Sequence, residues 1–489
     1  MKNLIALIPL LFVLGAAAQD RPAERPDPVA AAMASASLDP PGMLALAKLP
    51  RVEFARQWRR ARDLAIGQLA NAEAGAEGKA EARTRVSFRY AQGRVMYPFF
   101  HWRETDAVAI EPDPELPGIV ASLPRIDARA WKLREAREFV DARVHALARE
   151  RLASDADLGR GDARWLRAKL RVLDEVVEDR ATWMQAATGI IAKHIDDDGA
   201  RGVDEAIGTW LARRPPDADL ARIRAALDAD RSHLAGVRSF PYREVGGVTL
   251  FLNVREPQRP RAQPRPVMLW LHGGSATEGT WWHSPVTAQV LHELGVVVVS
   301  VELTTGNRFD RDSDQTGDAV AAYRYVRDHA VQLGVDPNRI GVAGFSSGAS
   351  VALLLVTRGA ATPDERGGPA PEFHGPAAAI VSGACADPLS KSEDGYFRKA
   401  TAGRGDPAEY SPYAQLRAGL PPVLSVHAVG DEYCSYEDMT RFADRSRGLG
   451  NEIELVSVEG ASHFFGFYHP EGQRLQRAAI EAALSRWGW

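Results

Sequence analysis

The sequence predicts an α/β fold, a mostly parallel central sheet flanked by helices, preceded by a mainly α-helical unit. Three observations predict it. The chain's 489 residues exceed what one compact core usually holds, so two units are expected. From about Asp127 to Gly236 apolar residues recur at helical spacing. After about Arg238, short β-branched or apolar runs alternate with amphipathic stretches, the pattern of βαβ units.

The chain opens with Lys2, an apolar run from Leu4 to Leu14, Gly15 and the small residues Ala16-Ala17-Ala18. This is the layout of a cleavable signal peptide over residues 1–18, and it predicts export to the periplasm or the medium. The run is shorter than the ~20 residues that span a bilayer, and no later segment reads as transmembrane. Residues 19–236 then form an accessory domain. Its start, residues 20–60, is rich in Ala, Pro and Arg with little periodicity and reads as a loosely held, disordered lead-in. Between Thr84 and Ile110 lie Phe88, Tyr90, Tyr97, Phe99, Phe100, His101 and Trp102. A small core patch suits them better than a short hairpin or a substrate-facing wall.

Two helical stripes follow, Leu133, Val140, Val144 and Leu147, then Leu166, Leu170, Leu173 and Val177. Asp196-Asp197-Asp198-Gly199 has the acidity of a calcium loop, but Ala200 breaks the alternation such a loop needs, so no metal is expected. The sheet domain is expected over 237–489, with strands at Val248 to Val254, Val267 to Leu271, Val296 to Val301, Ile340 to Ala343, Ala377 to Val381, Val423 to Ala428 and Ile453 to Val458. Several are continuously apolar, as strands covered on both faces should be. The Pro-rich piece Glu256 to Pro266 reads as an exposed loop between two of them.

A formal charge of −4, with both signs interspersed, gives no electrostatic footprint for nucleic acid or an anionic membrane. The chemistry lies in Gly344-Phe345-Ser346-Ser347-Gly348, a GxSxG sequence directly after one expected strand and before the helical run Ala349 to Val356. Between strand and helix it describes a tight turn that exposes the serine above the sheet, beside the amides of a helix N-terminus. A serine hydroxyl is a weak nucleophile, so it needs a base and a set of donors for the tetrahedral oxyanion. His272-Gly273-Gly274-Ser275, also directly after a strand, offers the N–H groups of Gly273 and Gly274, and Ser347 offers the amide after the nucleophile. His272 itself suits bracing that loop better than acting as base.

HGGS after one strand, then Asp336-Pro337-Asn338-Arg339-Ile340 leading into GFSSG, resembles the hormone-sensitive-lipase and bacterial carboxylesterase branch of the α/β-hydrolase superfamily, over about residues 238–489. The resemblance implies an α/β-hydrolase fold and a serine esterase needing no cofactor. It also implies an acid after a late strand, a position held here by Asp431, and a histidine after the last strand, held by His463. The order Ser346, Asp431, His463 agrees with that fold. Glu432 beside Asp431, and Asp387 after an earlier strand, are the competing acids; His427 and His469 suit structural roles.

Where the branch carries a Tyr-Arg pair, this chain has Glu302-Leu303-Thr304-Thr305, which leaves the subfamily open. The stretch Cys385 to Pro412 is too short for a bulky lid, so the helical half is expected to cover the site. Cys385 and Cys434 are the two cysteines of the chain and follow strands expected to be neighbours. A disulfide there would steady the Asp431 loop, and a reduced buried pair is the alternative.

The expected activity is hydrolysis of small to medium acyl esters through an acyl-enzyme, with acetyl or feruloyl groups on polysaccharides as one target. An acyltransferase or peptidase on the same fold, or a binding protein that uses the fold as scaffold, remain the rival classes.

Overall fold

The computed structural model describes residues 27–71, 75–105, 111–158, 161–257, 264–284, 286–306, 313–358, 375–390 and 406–489. The predicted signal segment 1–18, residues 258–263 of the Pro-rich loop and residues 391–405 of the stretch expected to hold no lid lie outside them.

The chain divides into two compact units. One comprises 1–159, 163–195 and 201–226; the other comprises 227–489 together with 160–162 and 196–200. Ten α-helices are described up to residue 233: α1 (Pro28–Ser35), α2 (Pro40–Ala47), α3 (Arg51–Ala70), α4 (Ala76–Glu104), α5 (Leu116–Ala121), α6 (Arg134–Ser154), α7 (Arg164–Val176), α8 (Arg180–Asp198), α9 (Asp204–Ala212) and α10 (Asp217–His233).

The region read as a loose lead-in is therefore helical from residue 28 onward. Two prolines of that Pro-rich composition are helix starts. Pro28 and Pro40 occupy the first turn, where a missing N–H costs nothing, and the Asp27 and Asp39 carboxylates cap the helices by accepting from the N–H groups of Val29 and Gly42, each at 3.0 Å.

As far as Glu104 the aromatic stretch from Thr84 falls within α4, not in a hairpin, and residues 106–110 lie outside the described residues. Val86, Phe88, Tyr90, Val95, Tyr97, Phe99 and Phe100 are all buried in the helical core. From Phe88 to Phe100 this helix is buried on nearly every side and has no polar stripe, so that part of its sequence lacks the 3.6-residue rhythm. The Trp58 indole N–H donates to the Tyr90 carbonyl at 3.0 Å, and a Cβ at Gly93 would fall 2.4 Å from that indole. α6 and α7 coincide with the two stripes predicted, with Val140, Val144, Leu166 and Leu173 buried.

In the second unit the elements run β1 (Val237–Val245), β2 (Val248–Arg255), β3 (Arg265–Leu271), α11 (Val286–Glu293), β4 (Val297–Val301), α12 (Gln315–Asp328), α13 (Ala330–Leu333), β5 (Val335–Phe345), α14 (Ser347–Arg358), β6 (Ala379–Ser382), β7 (Val423–Ala428), α15 (Tyr436–Gly448), β8 (Ile453–Val458), α16 (Phe465–Tyr468) and α17 (Pro470–Trp487). Eight described strands form one sheet in the order β1-β2-β4-β3-β5-β6-β7-β8. β1 and β2 pair antiparallel, as do β2 and β4; every later pairing is parallel.

Alternate residues of the central strands feed two apolar layers. Leu269, Val299 and Val342 pack with Leu353 of α14 and Phe442 of α15 on one face; Trp270, Val298 and Ala343 pack with Ile480 and Leu484 of α17 on the other. Burial on both faces is why these strands read as continuous apolar runs. Parallel pairing puts the C-terminal ends of β3, β5, β6, β7 and β8 along one edge, where loops can converge on a site.

Candidate active site

Ser346 stands at that edge, between the last residue of β5 and the first of α14. Its φ is +54°, a left-handed value that costs a non-glycine residue about 1–3 kcal/mol and persists only where surroundings impose it. Here the flanking glycines let the chain close on itself. A Cβ on Gly344 would lie 2.5 Å from the Gly348 carbonyl oxygen, and one on Gly348 would lie 2.3 Å from that of Leu271. The Ser346 N–H donates to the Ser382 carbonyl at 3.0 Å, fixing the turn to the neighbouring β6.

The structure brings His463 and Asp431 to this serine. His463 Nε2 lies 2.9 Å from Ser346 Oγ, and Nδ1 lies 2.7 Å from Asp431 Oδ2. Because a carboxylate only accepts, Nδ1 carries the proton and the Nε2 lone pair faces the hydroxyl. The Asp431 side chain is fully buried and that of His463 nearly so. Asp431 Oδ1 accepts from the N–H groups of Tyr433 at 2.9 Å and Cys434 at 2.8 Å. Burial opposes ionisation of this carboxyl, but the neighbouring His463, and hydrogen bonds from His427 and His463, outweigh it and hold the group well below the usual carboxylate range.

Of the competing acids, Glu432 accepts from the His463 backbone N–H at 3.1 Å, and Asp387 accepts from Ser411 Oγ at 2.9 Å. Sequence reasoning missed Gly383. It follows β6 with φ +56°, and a Cβ there would meet His463 Cε1 at 3.1 Å and Asp431 Oδ2 at 3.4 Å.

The loop after β3 packs against the serine. A Cβ on Gly273 would sit 3.0 Å from Ser346 Cβ, and Gly274, at φ +120°, starts a turn closed by the N–H groups of Thr277 and Glu278 on its carbonyl. Among the described residues no backbone carbonyl accepts from the N–H of Gly273 or Gly274. The Ser347 N–H, first in α14, has no intrahelical partner. Ser347 Oγ accepts from the Ala276 N–H at 3.3 Å, tying the loop to the helix start.

The buried His272 sits within the same turn, its Nδ1 2.8 Å from the Gly273 carbonyl oxygen. Burial pushes its pKa down to about 4. A histidine whose folded pKa lies below its unfolded value contributes stability that is present above about pH 6.5 and lost as pH falls toward 4. Urea unfolding at pH 7 and at pH 4.5 should show a loss of roughly 2 kcal/mol from this group, and His272→Asn should flatten that segment of the pH dependence.

Cys385 and Cys434 form a disulfide between the loops after β6 and β7, next to Asp431. The bridge spans a sequence separation of 49, for which chain entropy gives about 4 kcal/mol. Cys434→Ser should lower the unfolding free energy by up to that amount, and dithiothreitol should do the same to the wild type; equal stability with and without reductant would contradict it.

Where the branch's Tyr-Arg pair would stand, Thr304 donates to the buried Asp318 carboxylate through its N–H at 2.7 Å and its Oγ1 at 2.6 Å, and Arg243 pairs with the other carboxylate oxygen. Among the described residues no three His, Cys, Asp or Glu side chains are grouped to hold a metal ion, and no helix is long and apolar enough to cross a membrane.

Residues 248–396 match the Carboxylesterase family. The chain is 31% identical to fumonisin B1 esterase of Sphingopyxis macrogoltabida over 22% of its own length and 23% of that protein's. It is 27% identical to ethyl acetate hydrolase of Pseudomonas putida over 43% of its own length and 69% of that protein's. Among solved structures, the butyrate-bound esterase 2 of Thermogutta terrifontis aligns with 28% identity and a TM-score of 0.45, over 52% of this chain and 95% of that one. The chain thus spans about a quarter of the first of these relatives and about two thirds of the second. By this likeness residues 248–396 resemble the carboxylesterase family, and the mostly parallel sheet that carries the serine turn fits an α/β-hydrolase fold.

Proposed function

We propose that the protein is a secreted serine esterase in which Ser346 is the nucleophile, His463 the general base and Asp431 the orienting acid. The observation that carries this reading is the continuous relay Ser346 Oγ to His463 Nε2 at 2.9 Å and His463 Nδ1 to Asp431 Oδ2 at 2.7 Å.

Ser346 Oγ attacks the ester carbonyl carbon while His463 Nε2 takes its proton. The carbonyl oxygen becomes an oxyanion held by the N–H groups of Gly273, Gly274 and Ser347. Collapse expels the alcohol, which receives the proton from His463 and leaves Ser346 acylated. A water then repeats the sequence with His463 as base and frees the acid. Side chains, backbone donors and water suffice for these steps.

Similarity to ethyl acetate hydrolase supports a short acyl group. Tyr433 and Phe464 lie half-buried with ring centroids 5.1 Å from the His463 ring, and they support a flat or bulky group beside that histidine. Acetyl esters of polysaccharides fit the short acyl group, and feruloyl esters fit a flat ring beside the histidine. The Cys385–Cys434 disulfide supports an oxidising compartment, in line with removal of residues 1–18 on export.

The test is turnover of a chain-length series of p-nitrophenyl esters, extended to acetylated and feruloylated xylan fragments. The reading expects short acyl chains to be fastest and release of acetate or ferulate from xylan. A chain turned over only when an acceptor alcohol or amine is supplied would move the assignment to acyl transfer.

A further inference from the structure

Behind Asp431 lies a second imidazole that the relay above does not use. His427 is on β7, four residues before Asp431, and its side chain is fully buried. Its Nε2 lies 2.8 Å from the Cys434 carbonyl oxygen and 3.4 Å from Asp431 Oδ2. A carbonyl only accepts, so the proton sits on Nε2 and points into the gap between the two oxygens. Nδ1 is buried with no hydrogen-bond partner. The one bonding edge of this ring is therefore turned toward the acid loop.

The two carboxylate oxygens of Asp431 are held differently. Oδ1 is anchored by two backbone N–H groups at 2.8 and 2.9 Å, whereas Oδ2 receives the His463 Nδ1–H at 2.7 Å and faces His427 from the other side. The torsion that sets a carboxylate plane is broad, so anchoring one oxygen leaves the other free to swing out of line with the histidine.

We propose that His427 is a positioning residue for the triad, its Nε2–H shared between the Cys434 carbonyl and Asp431 Oδ2 so that this oxygen stays aligned with His463. The Cys385–Cys434 bridge fixes the carbonyl from which His427 takes its bearing. The other titratable groups facing this corner are Glu432, which accepts the His463 N–H, and Tyr433 and Tyr436, whose rings lie against His463 and His427.

The inference rests on the triad proposed above, and its test separates the two. His427→Leu, which fills space without a donor, should lower kcat roughly ten- to a hundredfold, the size of a lost hydrogen bond to a charged group. KM should hold within about twofold, because no substrate contact is lost. The acid limb of the kcat/KM profile should move to lower pH, since a misaligned carboxylate stabilises the His463 imidazolium less. His427→Gln, whose amide N–H can reach the same two oxygens, should recover most of the rate and the limb.

Equal losses in the two variants, or a wild-type rate and profile in His427→Leu, would overturn the proposal. The low-field proton resonance of the His463 Nδ1–H reads the bond to Asp431 without any substrate. It should weaken or move upfield in His427→Leu and persist in His427→Gln. It therefore judges the positioning role even if Ser346→Ala tells against ester chemistry.

Discussion

Ser346→Ala should lower kcat on any ester the wild type hydrolyses by on the order of 10⁴- to 10⁶-fold, leaving only the contribution of the oxyanion donors and binding. The size follows from position. Ser346 Oγ is the atom that faces the lone pair of His463, and no other hydroxyl among the described residues bonds that nitrogen. The substitution keeps the Cβ, so the strained turn between Gly344 and Gly348 and the bond from the Ser346 N–H to the Ser382 carbonyl are retained. Thermal unfolding of the variant should match the wild type, which separates lost chemistry from lost fold. Turnover within tenfold of wild type would mean that another group attacks the ester.

Asp431→Asn should cost on the order of 10⁴ in kcat through the protonation of His463 rather than through its position. The backbone N–H groups of Tyr433 and Cys434 both point at Oδ1, so an asparagine keeps its carbonyl oxygen there and turns its NH₂ toward His463. A histidine that must accept at Nδ1 carries its proton on Nε2, and the serine then meets a donor where it needs an acceptor. Glu432→Gln and Asp387→Asn should stay within a few-fold of wild type. The first carboxylate touches only the His463 backbone N–H among the described triad groups, and the second is engaged with Ser411 and Arg441. A large loss in either, with Asp431→Asn active, would reassign the acid.

The parts legible in sequence were those specified locally. Strands such as Val423–Ala428 are buried on both faces and so read as unbroken apolar runs, and GFSSG carries its turn within five residues. The acid was harder, because three carboxylates occupy defensible positions along the chain and only the folded loop shows that Asp431 meets the His463 ring. Gly383 was invisible for a related reason. Its constraint comes from His463 and Asp431, far away in sequence, so no local pattern marks it.

His427 was read as structural since it lies inside a strand, and its place behind Asp431 depends on the turn that brings the Cys434 carbonyl back over β7. In the helical unit, α4 escaped recognition because burial on nearly every side from Phe88 to Phe100 removed its polar stripe there, and the Pro-rich composition of residues 20–60 hid the two helix starts at Pro28 and Pro40 that aspartates cap.

The most direct test is rapid acid quench of the wild type during turnover of p-nitrophenyl acetate, followed by peptide mapping. The predicted result is an acetyl group on Ser346 that builds up within the first turnover and is absent from Ser346→Ala and His463→Ala. An acetyl group on another residue, or turnover with no acylated peptide at any quench time, would contradict the serine relay.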